Sequence, residues 1–444
     1  MGTTERSLTM AFLEKLWSMP YDGVTLEKAK YGLLDFVASA YAGKDDAGVA
    51  KLIRVAEWEG GRPAAPVLFH PLRTSRAQAA LINGFMGHAL DYDDVHAEVR
   101  GHPSTVILPA LLAFGDAGVS GRRFLEAYAA GVEAMARIAR ALTGEHYERG
   151  YHNTATAGVL AAAIAGAYLL SLPAEKAAAA LGLAVTQAGG LRVHFGTETK
   201  PLHAGLAASA AVRSLLLAGA DFQASRTSLD GQLGFFSVYG QGAERAREEL
   251  LRDDGDARRI VTPGLWYKLY PFCSAAYYGL DAAERIGPIP LERIDEIEII
   301  FTQRSDAALI HRDPANGEEG RFSIEYIAAL VLSGRGIRAD DFQRVPIGEE
   351  IRAYMRKMKR SNVYDVPAGV RYTQIVVRMA GGETVSAVGD RPKGSAENPV
   401  TEDELLRKFA DVVKADRADA LRETILRLDE LEDVRELSAL LGEG

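Results

Sequence analysis

Three segments, 155–171, 174–189 and 201–219, are dense in Ala and Gly, and this density constrains the chain more than any other feature. Small side chains let helix axes approach closely, so these segments predict a multi-helix core with buried central members. The surrounding pattern agrees. Leu26, Ala29, Leu33, Leu34, Val37, Ala40 and Tyr41 follow the three-to-four-residue spacing of one buried helix face. Ser120 is placed to cap a helix carrying Phe124, Leu125, Tyr128, Val132, Met135, Ile138 and Leu142. The first 250 residues therefore read almost entirely as helix.

The texture changes after Gly287-Pro288-Ile289-Pro290. The run Ile294 to Thr302 alternates charge with Ile and Phe, the period of a half-buried strand. Thr373–Met379 and Thr384–Asp390, joined through Ala380-Gly381-Gly382-Glu383, predict a hairpin. Helix is expected between these strands, around Ile324–Leu332 and Ile347–Met358, and strand is expected only within about 290–392. After Pro392 a capping box at Thr401 and Glu404 opens a return to helix. The expected fold is mainly α. A large all-helical domain built from both chain ends (1–267 and 396–444) would carry an inserted α+β lid (268–395), with a cleft between them.

Charge and cysteine content exclude several functions. With a net charge of −9, nucleic acid and anionic membrane are not expected as partners, since phosphate binding needs clustered Lys and Arg. Cys273 is the only cysteine, so neither an intrachain disulfide nor a cysteine-built zinc site can form, which suits a cytoplasmic location. The N-terminal segment lacks the basic start and apolar core of a secretory signal. The most membrane-like run, Ala157 to Leu170, is too short to span a bilayer and reads as a core helix. No phosphate-binding glycine loop and no nucleophile elbow is present, which argues against nucleotide enzymes and serine hydrolases. Cys273 itself lies in an apolar setting that favours a structural role over a nucleophilic one.

Histidine carries the chemistry. Seven of the nine histidines fall between His88 and His203, a window with only two lysines, Lys176 and Lys200. Within it, Arg100-Gly101-His102-Pro103-Ser104 and Arg149-Gly150-Tyr151-His152-Asn153 each run into a predicted helix; Lys200-Pro201 opens another, and beyond it Lys268-Leu269-Tyr270-Pro271 opens a fourth. Helix N-termini present free N–H groups and partial positive charge. A single His or Lys at such a place is commonly a cap or a solvated surface residue. Four together predict a convergent cationic pocket for a carboxylate-rich small molecule. The run His88-Ala-Leu-Asp91-Tyr-Asp93-Asp94-Val-His96 supports a rival reading, a divalent metal on Asp91, Asp93, Asp94 and His96. The acidic motif DDxxD that it would need is broken by Ala97, so a metal site is not expected and Asp91 is given the milder role of orienting a histidine. A non-catalytic helical interaction protein is the third possibility.

At these same segments the sequence resembles the MmgE/PrpD family, which contains 2-methylcitrate dehydratases, cis-aconitate decarboxylases and iminodisuccinate epimerases. The matching stretches include KYGLLDFVASAYAG, HALDYDD, RGHPS, GYHNTATAG, GTETKPLHAG, WYKLYPFCS and RYTQIVVRMAGG, and they cover nearly the whole chain. The resemblance implies a two-domain homodimer without a cofactor. Carried over by motif, its active-site positions fall on Asp91, His102, His152, Lys200 and Lys268, with Tyr147, Arg149, His203 and Tyr326 as additions. Arg100, ahead of the GHPS motif, is similar to the epimerase branch and joins them as a substrate-binding candidate. Where family members often have a histidine shortly after the KxxP segment, this chain has Cys273-Ser274-Ala275-Ala276-Tyr277, a departure that points away from decarboxylation.

All three activities place charge on carbon next to a carboxylate. Lys200, Lys268 and Arg149 are expected to neutralise it, and His102 and His152 to act as the acid–base pair with Asp91 orienting one of them. A 2-methylcitrate dehydratase-like reaction is the leading expectation, iminodisuccinate epimerisation the second and cis-aconitate decarboxylation the third.

Overall fold

The computed structural model describes residues 7–302, 305–367 and 370–443, and the chain is mainly α-helical with one small mixed sheet. Its centre is the helix Thr199–Gly219, which packs against Arg76–His88, Gly158–Leu169, Ala174–Val185 and Ser104–Leu112. The Ala and Gly content explains this crowding. A Cβ on Gly84 would lie 2.8 Å from Gly205 Cα, and one on Gly205 would strike the carbonyl oxygen of Leu81, so not even alanine fits the crossing. Gly166 receives the end of Leu215 in the same way. Thr199–Gly219 is also the helix that is long and apolar enough, by length and composition, to cross a membrane, rather than the 157–170 run; 67% of its apolar window is buried inside the protein.

Capping sets the remaining helix starts. The Asp22 carboxylate accepts the Thr25 N–H at 2.9 Å and opens Gly23–Gly43. Ser120 accepts the Arg123 N–H at 3.2 Å and opens Gly121–Glu148, a helix interrupted at Thr143. The capping box of Thr401 and Glu404 is present and starts Glu402–Val412. That helix and Ala415–Leu426 pack on Gly23–Gly43, and Leu405, Phe409, Leu421, Ile425, Leu437 and Leu441 are buried in the same core as Leu33, Phe36 and Val37. A buried ion pair pins them, with Lys408 Nζ 2.7 Å from Asp35 Oδ1.

A second core gathers between Trp266 and Met379. Its sheet runs in the order Met358–Val363, Ile294–Thr302, Thr373–Met379, Thr384–Gly389; the first pair is parallel and the other two antiparallel. Ile297, Ile299, Phe301, Ile375 and Val377 face inward with the helices Tyr277–Ile286 and Ile324–Leu332, while Glu298 and Arg378 meet on the outer face at 3.3 Å. Val95 and Phe195 reach into this core from the helical part, so the two cores touch along one seam.

Three local expectations are corrected. The helix predicted through Met358 ends at Met355, and Met358–Val363 forms an edge strand whose Lys and Arg suit an exposed edge. A two-residue ladder, Ala65–Pro66 with Arg73–Thr74, lies outside the 290–392 stretch. Lys268–Pro271 does not open a helix. The Tyr277 hydroxyl donates to the Tyr270 carbonyl at 2.7 Å and accepts its N–H at 2.9 Å, which holds this stretch non-helical until Ser274–Ala276.

Candidate active site

The seam holds a cavity of about 150 Å³, room for a small polar molecule. Asp91, His102, His152 and Lys200 line it from the helical side; Cys273, Ser274, Tyr278 and Arg371 line it from the other.

Three of the four predicted helix starts supply its walls. His102 lies two residues before Ser104–Leu112, His152 is the N-cap residue of Asn153–Thr156, and Lys200 sits in the first turn of Thr199–Gly219. The fourth side chain, Lys268, arrives on the non-helical stretch instead and reaches Asp91 without lining the cavity. Asp91 sits in the turn after Arg76–His88 with φ +52°, the left-handed region that Asp tolerates better than most residues. Lys268 Nζ holds that turn by donating to the Asp91 carbonyl at 2.7 Å and to its carboxylate. Lys200 Nζ lies 3.2 Å from the other carboxylate oxygen.

Both ammonium groups are therefore compensated by one buried acid. Burial alone would raise the Asp91 pKa, but Lys200 and Lys268, helped by His102 and His88, overcome it and hold the carboxyl well below the usual range. Burial lowers the Lys200 pKa; Asp91 opposes that and Lys268 adds to it.

Hydrogen bonds assign the tautomers. Lys200 Nζ donates to His88 Nε2 at 2.7 Å, and His88 Nδ1–H then points at Asp93 Oδ1, 2.8 Å away. Burial pushes the His88 pKa down to about 3, so it stays neutral between its partners. His102 Nδ1 lies 2.9 Å from the Asp94 carbonyl, which accepts only, so Nδ1 carries the proton and Nε2 is a free base. Burial lowers the His102 pKa, with Asp93 opposing and Lys268 reinforcing the shift. His152 is held neutral by burial and by the charge of Lys200. The pocket wall thus combines two neutral imidazoles with the Lys200 ammonium group, and Lys268 stands behind Asp91.

The other predicted residues scatter. Tyr147 is a buried wall clamped between Arg100 and Arg192, whose guanidinium carbons lie 4.3 and 4.0 Å from its ring centroid. Arg100 lines the cavity mouth, and His203 contacts His152 from behind. Arg149 does not line the cavity: it is exposed and bonded to Glu145, because the turn after Gly121–Glu148 directs it outward. Tyr326 is buried in the second core, its hydroxyl donating to the Asp341 carbonyl at 2.8 Å, and it does not line the cavity. His88 and Asp93, which bond Lys200 and His102, and Arg371, which lines the cavity, are not among the predicted site residues. The first two lie in the His/Asp run already singled out. Arg371 opens the matching stretch RYTQIVVRMAGG, which by itself does not single it out.

The metal reading takes a different form in three dimensions. Asp94 turns away to accept from Ser104 at 2.5 Å, and His96 Nε2 bonds the Arg259 carbonyl at 3.1 Å. His88, Asp91, Asp93 and His102 instead bring donor atoms within 4.8 Å of one another. These donors already face the Lys200 and Lys268 ammonium groups, whose charge would repel a cation at the same place.

Fold and pocket together place Lys200, Arg100, Arg371 and two imidazoles around one cavity at the seam. The chain belongs to the MmgE/PrpD family: residues 13–248 match the MmgE/PrpD N-terminal domain and residues 270–430 the C-terminal domain. It is 25% identical to a cis-aconitate decarboxylase of Mus musculus, over 98% of this chain and 93% of the relative. It is 27% identical to the cis-aconitate decarboxylase-like protein oryM of Aspergillus oryzae, over 94% and 93%. A cis-aconitate decarboxylase of Aspergillus terreus is 26% identical, over 94% and 91%.

Proposed function

We propose that this chain is a lyase of small di- or tricarboxylates, and that its reaction is decarboxylation of a cis-aconitate-like acid. The observation that carries the lyase reading is the buried Lys200–Asp91–Lys268 cluster beside two neutral imidazoles. The similarity to decarboxylases along nearly the whole chain moves decarboxylation ahead of dehydration, reversing the order expected from the sequence alone.

In this reading Arg100 and Arg371 draw the anion in, since Lys200 and Lys268 are already compensated by Asp91. The substrate's methylene–carboxylate bond breaks and CO2 leaves. The electron pair shifts through the double bond to the carbon next to a retained carboxylate, where Lys200 on the cavity wall, with Arg100 and Arg371, stabilises it and His152 returns a proton. Each turnover consumes one proton from solvent. Residues 268–395 would act as the lid over a helical body formed by 1–267 and 396–444. A homodimer, a cytoplasmic location and independence of any cofactor belong to the same reading; sedimentation at micromolar concentration checks the first.

Dehydration of a 2-methylcitrate-like hydroxy acid is the second reading. It is favoured by the free Nε2 of His102, which suits removal of a proton, and by the Cys273-Ser274-Ala275 wall, which has no imidazole. Epimerisation of an iminodisuccinate-like acid would use the same pair of histidines. Proton NMR in D2O with cis-aconitate, citrate, 2-methylcitrate and iminodisuccinate separates them. Loss of CO2 with deuterium incorporated is the expected result; water loss or deuterium exchange alone would transfer the assignment, and four unchanged spectra would overturn the lyase reading.

A further inference from the structure

Behind the active site lies a second cavity, of about 360 Å³, lined by Gln187, Gly190, His194, Thr199 and His203. Leu191 and Leu206, also on its wall, are exposed, so it opens at the surface of the chain. A pair of touching side chains links the two cavity walls. His152 faces the active site, His203 faces the second cavity, and their Nδ1 atoms lie 3.2 Å apart with both residues buried.

The backbone is shaped for this contact. Gly190 has φ +120°, and its carbonyl accepts the His152 N–H at 3.0 Å. A Cβ on Gly190 would sit 3.1 Å from Ala155 Cβ and 3.4 Å from the His203 ring, so a side chain there would press on the imidazole. Beyond His203, the half-buried His194 stands edge-on with ring centroids 5.8 Å apart and lies at the same cavity.

We infer that His203 is a proton-relay residue, passing protons from the second cavity to His152 without opening the active site to bulk water. The inference rests on the lyase reading above, which needs one proton per turnover. His203 Nδ1–H donates to His152 Nδ1, which leaves His152 Nε2–H for the substrate. As the Nε2 proton forms the new C–H bond, the His203 proton moves onto His152 Nδ1, and a proton from water in the second cavity adds to His203 Nε2. Neither ring becomes an imidazolate. When product leaves and water enters the active site, that water protonates His152 Nε2, the His152 Nδ1 proton passes back to His203 Nδ1 and the His203 Nε2 proton returns to water in the second cavity. This restores the starting tautomers for the next closed turnover. His203 acts only through His152, so it is a positioning and relay group and not a catalytic residue. Burial holds both rings neutral, as a relay of this kind requires.

The test compares wild type with His203→Ala on cis-aconitate. The expected result is a kcat lower by at least about tenfold, a KM within about twofold, an unchanged melting temperature and recovery of kcat on adding imidazole, which the second cavity admits. A folded variant with wild-type kcat, or one whose loss imidazole cannot restore, overturns the relay. His203→Asn, which keeps a polar atom near the Nδ1 position, carries the same comparison if the alanine variant does not fold. If wild type turns over no carboxylate, the lyase reading fails by itself. The relay contact is then read in protein labelled with 15N-histidine: a coupling between the two Nδ1 nuclei across the hydrogen bond is expected, and its absence overturns the contact.

Discussion

Lys268 holds Asp91 twice, by the backbone carbonyl at 2.7 Å and by the carboxylate, and so fixes both the turn and the charge of one residue. The same carboxylate faces Lys200 at 3.2 Å, so a single acid compensates two buried cations. Asp91→Asn would leave those cations short of a partner in a dry site. Removing one member of a buried pair typically costs about 3–5 kcal/mol. Urea denaturation should show a loss of that order, together with lost turnover; a fully stable Asn variant would show that Asp91 is not the compensating charge.

His102→Ala removes the free imidazole base, and Lys200→Ala removes a cation that also sets the His88 tautomer. Each should lower turnover at least about a hundredfold with the fold retained. Steady-state kinetics beside a circular-dichroism melt checks this, and near wild-type turnover in either would remove that residue from the site.

Arg371 and Arg149 give a paired prediction. Arg371 lines the cavity, whereas Arg149 lies on the outer surface against Glu145. Arg371→Ala should raise KM about tenfold or more, as loss of a charged hydrogen bond of about 1.5–3 kcal/mol implies, with a smaller change in kcat. Arg149→Ala should be nearly silent. The reverse pattern would restore the substrate-binding role expected for Arg149 from its motif.

Acid should destabilise the protein from about pH 6.5 downward. Burial lowers the pKa of His88 to about 3 and those of His96 and His203 to about 4. In the unfolded chain these imidazoles take up protons below about pH 6.5 while the native ones stay neutral, so stability falls as pH drops from there toward 4. Asp91 and Asp93 have depressed values, so their contribution is full above the unfolded value of about 3.9 and begins to fade only below it. In the window between, each of these histidines is worth up to about 1.4 kcal/mol per pH unit, and the raised carboxyls of Asp94 and Asp35, which take up protons in the native state, offset part of that loss. Urea midpoints at pH 7, 6 and 5 should decrease in order; a flat series would show that these rings are not buried neutral.

Chelation should leave turnover unchanged. The donor atoms of His88, Asp91, Asp93 and His102 are close enough to hold a divalent ion, yet two ammonium groups face them. A rate that collapses in EDTA and returns with one added metal would overturn the compensated-cation reading.

Much of this site is written in short runs of sequence. His102, His152 and Lys200 are legible because each stands at or just before a helix start whose Pro, Asn or Ala-rich continuation is itself legible. Arg149 shows the limit of that reasoning: it shares the motif with His152, yet the turn directs the two side chains to opposite surroundings. Lys268 reaches the site although its predicted helix does not form, since a tyrosine hydroxyl organises that stretch instead. Arg371 opens a stretch that is legible in the sequence, but its place at the cavity is set by the seam between two cores, which the stretch does not encode. The edge strand Met358–Val363 was hidden for a related reason. Its polar sequence resembles a helix end until a parallel neighbour pairs with it.

The glycine crossing at the centre of the helical part has a mechanical consequence. Gly84 lies four residues before His88, and Gly205 lies five residues after Lys200, so the crossing is a fulcrum set about one helical turn behind the Lys200–His88 bond. Any side chain wedged into it would lever those two atoms apart without touching them. Gly205→Ala should therefore behave as an active-site lesion, although the added methyl group contacts only the backbone of a neighbouring helix.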